Sequence, residues 1–376
     1  MSGRPPRRVL IRRLIVADVL LLIAAYTAGA WWRGAPIHAY LRSPDRRSQT
    51  AGLFRSDPRL GYASVAGASG KFLFPGGTEI PIRFDASGFR IPDTDDSATA
   101  ESVVALGCSY TFGDAVRAEQ TFAAIVAHHW KLRLHNAALS GYGLAQMTLV
   151  AGEIIAEQRP RLVLVEYAPW LVDRAIDGTA PSAFGDIPTP YFTSGGEIAP
   201  PYFETSLFRL PFWEFAEKDQ PKRTAGFLFR ASLPYFVSTD THHAALAVRR
   251  VLGRVPASSA DRLAVIRDAY ARVARTASAV GARMLVFALA GGPSAPPDDV
   301  VDAILASGAE FIDAEVFLAR AIPGTPTPQA YQQHYTVWAG DPPRLVDPHP
   351  NAAANQAIAD AINTAIAERR LLDSRP

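Results

Sequence analysis

The residues most able to do chemistry in this chain are a serine, a histidine and an aspartate, far apart in sequence. Ser109 lies in Ala105-Leu-Gly-Cys-Ser-Tyr-Thr-Phe-Gly113, directly after the apolar run Val103 to Leu106. A serine hydroxyl becomes a useful nucleophile only when a base takes its proton and an acid orients that base. Of the eight histidines, His349 has a carboxylate two residues away at an expected loop-to-helix junction, Asp347-Pro-His349-Pro-Asn351. The flanking prolines restrict that loop, which suits a base held in place. Acyl transfer also needs backbone N–H donors for a developing oxyanion. The stretch His135-Asn-Ala-Ala-Leu-Ser-Gly-Tyr-Gly-Leu-Ala-Gln146 offers Gly141 and Gly143 for that purpose. Each piece also has an ordinary reading: a βα loop uses Gly and a Ser cap, and Asn351 behind two prolines reads as a helix cap.

The elements around these residues decide whether they can meet. From Val103 onward the chain alternates strand and helix. Val103–Leu106, Leu132–Leu139 and Leu162–Tyr167 read as strands, with helices over Thr121–Trp130 and Ala145–Gln158. The alternation stops over 175–257, rich in aromatics and proline, and then resumes. A helix capped by Ser259 carries Leu263, Ile266, Tyr270, Val273 and Val280 and stops at Gly281. A strand follows over Met284–Leu289, a helix over Asp298–Ser307, a strand from Phe311, and a last helix behind Asn351 with Ile358, Ile362 and Ile366. Alternation of this kind predicts an α/β three-layer sandwich around a central parallel sheet, with ligands at the carboxyl ends of the strands. Ser109 stands at that edge. Before this domain, residues 61–100 read as a small β element and a polar link.

In order and spacing the three blocks resemble the SGNH, or GDSL, hydrolase superfamily, over about residues 101 to 370 apart from the aromatic-rich insertion. The resemblance implies a flavodoxin-like α/β fold. It makes Ser109 the nucleophile and its N–H one oxyanion donor, Gly141 the second donor, and Asp347 with His349 the acid and base. Three departures stand out. Cys108 occupies the place of the family's Asp, which makes a thiol nucleophile a minor alternative. The acid-to-base spacing is two instead of three, so Asp341 is the second candidate for the acid. The strand 162–167 is followed by no Asn, the family's third oxyanion donor, and Trp170 and Arg174 are the residues nearby that could replace it.

Composition bounds the rest. The chain has 376 residues, 48% hydrophobic and 20% charged, with a formal net charge of +2. That is a globular composition with no basic field for nucleic acid. One cysteine excludes an internal disulfide and a cysteine-rich metal site. Leu-Ala-Gly-Gly-Pro-Ser-Ala295 lacks the lysine of a phosphate loop, and no cofactor is expected.

Residues 14–32 carry one charge, Asp18, and end in Trp31-Trp32. About 19 residues at 1.5 Å rise give roughly one hydrocarbon thickness. Arg12 and Arg13 precede the segment, which favours a cytoplasmic basic tail (1–13) and places the remainder outside the cytoplasm. The expectation is a single-pass inner-membrane anchor, a tether over 33–60 and a periplasmic catalytic domain. Ala28-Gly-Ala30 keeps a cleaved signal peptide open.

The reaction that fits is attack of Ser109 on an ester carbonyl to form an acyl-serine. Water as acceptor makes an esterase, acting on acyl and in the first instance acetyl esters, with envelope carbohydrate as a candidate substrate. A sugar hydroxyl as acceptor makes an O-acyltransferase, and a membrane acyltransferase is then a candidate partner. A membrane-tethered binding protein on a degenerate hydrolase fold is the non-catalytic alternative.

Overall fold

The computed structural model describes residues 7–33, 52–73, 78–92, 101–182, 185–202, 225–256, 258–292, 294–322, 324 and 326–373. The N-terminal helix α1 (Arg7–Arg33) contains a stretch, Ile11–Arg33, with a mean hydropathy of 1.9, long and apolar enough to cross a membrane. Such a helix fits either an anchor or a signal sequence.

Four short strands follow: β1 (Phe54–Asp57), β2 (Gly61–Ser64), β3 (Ser69–Leu73) and β4 (Glu79–Arg83). They pair as two antiparallel hairpins, β1–β2 and β3–β4. The expected tether over 33–60 therefore ends early. Residues 34–51 lie outside the described residues, but Phe54–Asp57 already pairs with Gly61–Ser64, and Leu53 is fully buried.

The central domain runs β5 (Ser102–Leu106), α2 (Ser109–Phe112), α3 (Phe122–His129), β6 (Arg133–Asn136), α4 (Leu144–Gln158), β7 (Leu162–Tyr167) and α5 (Pro169–Asp177). The insertion contributes two small hairpins, β8 (Thr179–Ser182) with β9 (Gly185–Pro188) and β10 (Tyr191–Phe192) with β11 (Ile198–Ala199). A long helix, α6 (Ala225–Val251), follows. The series closes with α7 (Ser259–Ala279), β12 (Arg283–Ala288), α8 (Asp298–Leu305), β13 (Glu310–Asp313), α9 (Ala314–Ala321) and α10 (Pro328–Tyr335). A last hairpin, β14 (Val337–Ala339) with β15 (Arg344–Asp347), leads into α11 (Ala352–Glu368).

The expected parallel sheet is present, in the order β13-β12-β7-β5-β6. Alternate residues of each strand face opposite layers. Val104, Leu106, Val163, Val165 and Val286 join one core, packed with Ala151 and Ile155 of α4 and Ile266, Tyr270 and Val273 of α7. Val103, Ala105, Leu162, Leu164 and Phe287 join the other, with Phe122 of α3 and Ile358, Ile362 and Ile366 of α11. Burial on both faces is why these strands read as continuous apolar runs. Ser258, one residue ahead of the expected position, is the cap of α7, its hydroxyl accepting the Asp261 N–H. Asn351 caps α11 as expected, accepting the Ala354 N–H. The chain adds β6 on one side of β5 and β7 on the other. The carboxyl ends of β5 and β7 thus form the crevice where the strand order reverses and ligands bind in such sheets.

Candidate active site

The turn after β5 is built on Glu166 of β7, which is fully buried. Its Oε2 accepts the Cys108 N–H at 2.9 Å and the Thr111 hydroxyl at 2.7 Å, and its Oε1 accepts the Cys108 thiol at 3.0 Å. Gly107 lets that carboxylate approach: a Cβ there would collide with Glu166 Oε2 and Thr111 Oγ1. The glycine that ends the strand is therefore a packing requirement of the carboxylate beneath it. Sequence reasoning missed Glu166. The only signal was one acid inside an otherwise apolar strand run, a placement that demands buried partners.

Arg90, 2% exposed, secures the other end of the turn. Its guanidinium donates to the carbonyls of Phe112 (2.5 Å), Gly113 (2.6 Å) and Val116 (2.7 Å). Asn136 Nδ2 donates to the Thr111 carbonyl at 3.0 Å. The segment before the central domain is thus part of the nucleophile turn's support. Tyr62 and Gln146 tie it further: Tyr62 Oη donates to the Ser140 carbonyl at 2.5 Å, and Gln146 Nε2 donates to the Leu60 carbonyl at 2.8 Å.

Ser109 is the first residue of α2 and is 7% exposed. Its hydroxyl lies 3.8 Å from Cys108 Sγ. Cys108 itself is a poor nucleophile. Burial, reinforced by the Glu166 charge, pushes its thiol up to about 12, so the thiolate is scarce at neutral pH.

His349 arrives from the far end of the chain, on the loop between β15 and α11. Its Nδ1 is 2.6 Å from Asp347 Oδ1, and the same oxygen accepts the His349 backbone N–H at 2.8 Å. Burial works against the imidazolium. The Asp347 hydrogen bond and the charges of Asp114 and Asp347 outweigh it, so the pKa lies above its ordinary value. Asp347 shows the mirror effect: burial opposes its charge, but the bond to His349 holds its carboxyl below the usual range. Asp341, the second candidate, lies in the β14–β15 turn and makes no hydrogen bond to His349 among the described residues.

The structure brings His349 to the nucleophile turn. The rings of Tyr110 and His349 meet edge to face at 5.6 Å, and Tyr110 meets Trp170 in the same way at 5.3 Å. The Nε2 of His349 lies 3.7 Å from Asp114 Oδ2, five residues beyond Ser109. Among the described residues no hydrogen bond joins Ser109 Oγ to His349 Nε2.

Gly141 has φ +82, and a Cβ there would sit 2.6 Å from Tyr62 Oη. Its neighbour Ser140 donates its hydroxyl to Asp114 Oδ1, which fastens the glycine turn to the nucleophile turn. The two residues that could replace the missing Asn each donate a hydrogen bond to another group. Trp170 Nε1 donates to Cys108 Sγ at 3.4 Å, and Arg174 Nη1 donates to the Tyr142 carbonyl at 3.0 Å. No cluster of metal-ligating side chains occurs among the described residues.

Beside His349 lies a cavity of about 400 Å³, lined by Tyr110, Leu289, Gly291, Tyr331, Tyr335, Pro348 and Pro350 among others. Its wall is braced by Glu315, whose carboxylate accepts the N–H groups of Ala290 (2.7 Å) and Gly291 (2.9 Å) and the Tyr331 hydroxyl.

No family model matches this chain, and no curated protein matches it. Solved structures do. The acetylxylan esterase Axe2 of Geobacillus stearothermophilus aligns at 13% identity over 72% of this chain and 96% of its own, with a TM-score of 0.36. TesA aligns at 13% identity over 71% and 99%, with a TM-score of 0.35. A lipolytic protein of the G-D-S-L family from Desulfitobacterium hafniense aligns at 9% identity over 70% and 98%, with a TM-score of 0.31. The chain is similar to these proteins. At such identities and scores, what its site can do has to be read from its own atoms.

Proposed function

We propose that this protein is a serine esterase that cleaves acyl esters through an acyl-serine on Ser109. The observation that carries the reading is the Asp347–His349 pair, delivered across the whole domain to the turn that bears Ser109. An imidazole held at Nδ1 by a carboxylate presents Nε2 as the base. In the reaction Ser109 Oγ turns from Cys108 towards Nε2 and attacks the ester carbonyl as its proton passes to His349. The carbonyl oxygen becomes the oxyanion, held by the backbone N–H groups of Ser109 and Gly141. Collapse expels the alcohol, which takes the proton from His349. Water, activated by the same base, then releases the acid. A sugar hydroxyl in place of that water would make the protein an O-acyltransferase.

Helix α1 supports a membrane-anchored reading, with Arg12 and Arg13 in its N-terminal part, ahead of the apolar segment 14–32, on the cytoplasmic side and the domain in the periplasm. In that setting an envelope carbohydrate ester is the natural substrate class. A membrane acyltransferase is a fitting partner if the acceptor is a sugar.

The test is mass spectrometry of the full chain after a fluorophosphonate probe. One adduct on the Ser109 peptide, lost in His349→Ala, is expected. A folded protein with no adduct would overturn the reading and leave a binding protein on a hydrolase-like fold.

A further inference from the structure

His349 stands between two carboxylates. Asp347 holds Nδ1 at 2.6 Å, while Nε2, the nitrogen that would serve Ser109, faces Asp114 Oδ2 at 3.7 Å. That separation is an ion-pair distance, too long for a hydrogen bond. Asp114 touches the other parts of the site as well. Its backbone N–H donates to the Ser109 carbonyl at 3.1 Å, and its Oδ1 accepts the hydroxyl of Ser140, next to Gly141. One side chain thus links the base, the nucleophile turn and the glycine turn.

We propose that Asp114 is a positioning residue: its carboxylate parks the protonated imidazole of His349 at the Nε2 edge and, through Ser140, fastens the turn that carries Gly141. This rests on the esterase reading of the same site. Once His349 gives up its proton, the Nε2 lone pair faces an anion. The neutral ring is then better placed against the Ser109 hydroxyl, which can donate to it. Asp114 therefore favours the charged, waiting state of the base and disfavours a neutral base in that same parked position.

The other charges around the pair bear on its size. Asp347 adds to the imidazolium, Arg174 of α5 opposes it, and Tyr110 meets the ring by its edge. Asp114 in turn faces His349, Asp347 and Arg90. Burial raises the Asp114 carboxyl above its ordinary value, and the His349 charge and the Ser140 hydrogen bond offset only part of that rise.

The experiment uses the full chain in detergent. It reads the pH dependence of p-nitrophenyl acetate hydrolysis and the nitrogen NMR titration of His349, assigned by its loss in His349→Ala. Asp114→Asn keeps an acceptor for Ser140 and removes the charge. Both the acid limb of the rate profile and the NMR midpoint are expected to move down by about one pH unit. Ser140→Ala is expected to lower kcat while leaving the midpoint in place. Coincident midpoints in wild type and Asp114→Asn would overturn the proposal. In the wild-type protein, the carboxyl carbon signal of Asp114 should shift at the His349 midpoint, and a signal indifferent to it would also overturn the proposal, even where the Asn variant fails to fold. A wild-type protein without turnover would sink the esterase reading, while the two NMR midpoints would still decide the role of Asp114.

Discussion

Glu166 Oε2 accepts the backbone N–H of Cys108 at 2.9 Å, so a buried carboxylate on one strand supports the turn that leaves the next. Two further donors, the Thr111 hydroxyl and the Cys108 thiol, converge on the same group. An acid from β7 thus reaches over to order the turn after β5, and Cys108 is one of the groups it holds.

Glu166→Ala should therefore unfold the turn as well as weaken the protein. It strands a buried N–H and a buried hydroxyl, each costing ~1–3 kcal/mol. The expected result is a fall in melting temperature together with loss of probe labelling at Ser109. An unchanged melting temperature would show that Arg90 and Asn136 hold the turn unaided.

The assignment of the acid makes a second, sharper prediction. Asp347→Asn removes the charge that orients His349 and should lower kcat by roughly 10³–10⁴, together with a fall in melting temperature as the stabilising charge pair is lost. Asp341→Asn should stay within about twofold, as expected of a surface substitution away from the site. Steady-state ester hydrolysis by the two variants separates them, and equal losses would leave Asp347 without its role.

Much of this was legible in the sequence because local pattern carried it. The alternation of apolar strands and capped helices is a property of neighbouring residues, and so is the pairing of Asp347 with His349 across one proline. Residues whose partners lie far away were not legible. Arg90 reads as one more arginine in a β-rich stretch, yet it binds three carbonyls of the nucleophile turn. Asp114 looks like a loop acid until Ser140 and His349 are folded against it. Strand β1 was hidden because Phe54–Asp57 has one exposed and three half-buried residues, with no apolar alternation to betray it. The hairpin β14–β15 drew no reading from the sequence: its two strands are short, and every residue in them is half-buried or exposed. Helix α6 was hidden inside a stretch read by its aromatics and prolines. Residues 203–224 of the insertion lie outside the described residues.

The protonation of His349 sets opposite trends for activity and stability. Its folded pKa is raised above 6.5, and the base works only when neutral. The kcat/KM should therefore rise with pH through a midpoint above 6.5. The same group stabilises the fold fully below its unfolded pKa, and that contribution is lost as pH rises through the folded pKa. Asp347, lowered from 3.8, contributes stability above its unfolded value that is lost as pH falls through the folded one. Melting temperature should thus decline across the window in which activity climbs, and His349→Gln should flatten that part of the melting profile. A rate midpoint below 6.5 would show that another group limits the reaction.

Gly141 offers a test of the oxyanion turn. Its φ of +82 is costly for any residue with a Cβ, and the Cβ would also press on Tyr62 Oη at 2.6 Å. Gly141→Ala should cost about 1–2 kcal/mol through the backbone alone and displace the N–H meant for the oxyanion, so kcat should fall by about a hundredfold or more. Tyr62→Phe removes the hydroxyl that the new methyl would strike, together with its bond to the Ser140 carbonyl. Adding it to Gly141→Ala should recover part of the lost melting temperature and little of kcat, because the left-handed backbone stays strained while the contact is relieved. Full recovery of kcat in the double variant would mean that the clash, and not the position of the Gly141 N–H, had limited the reaction.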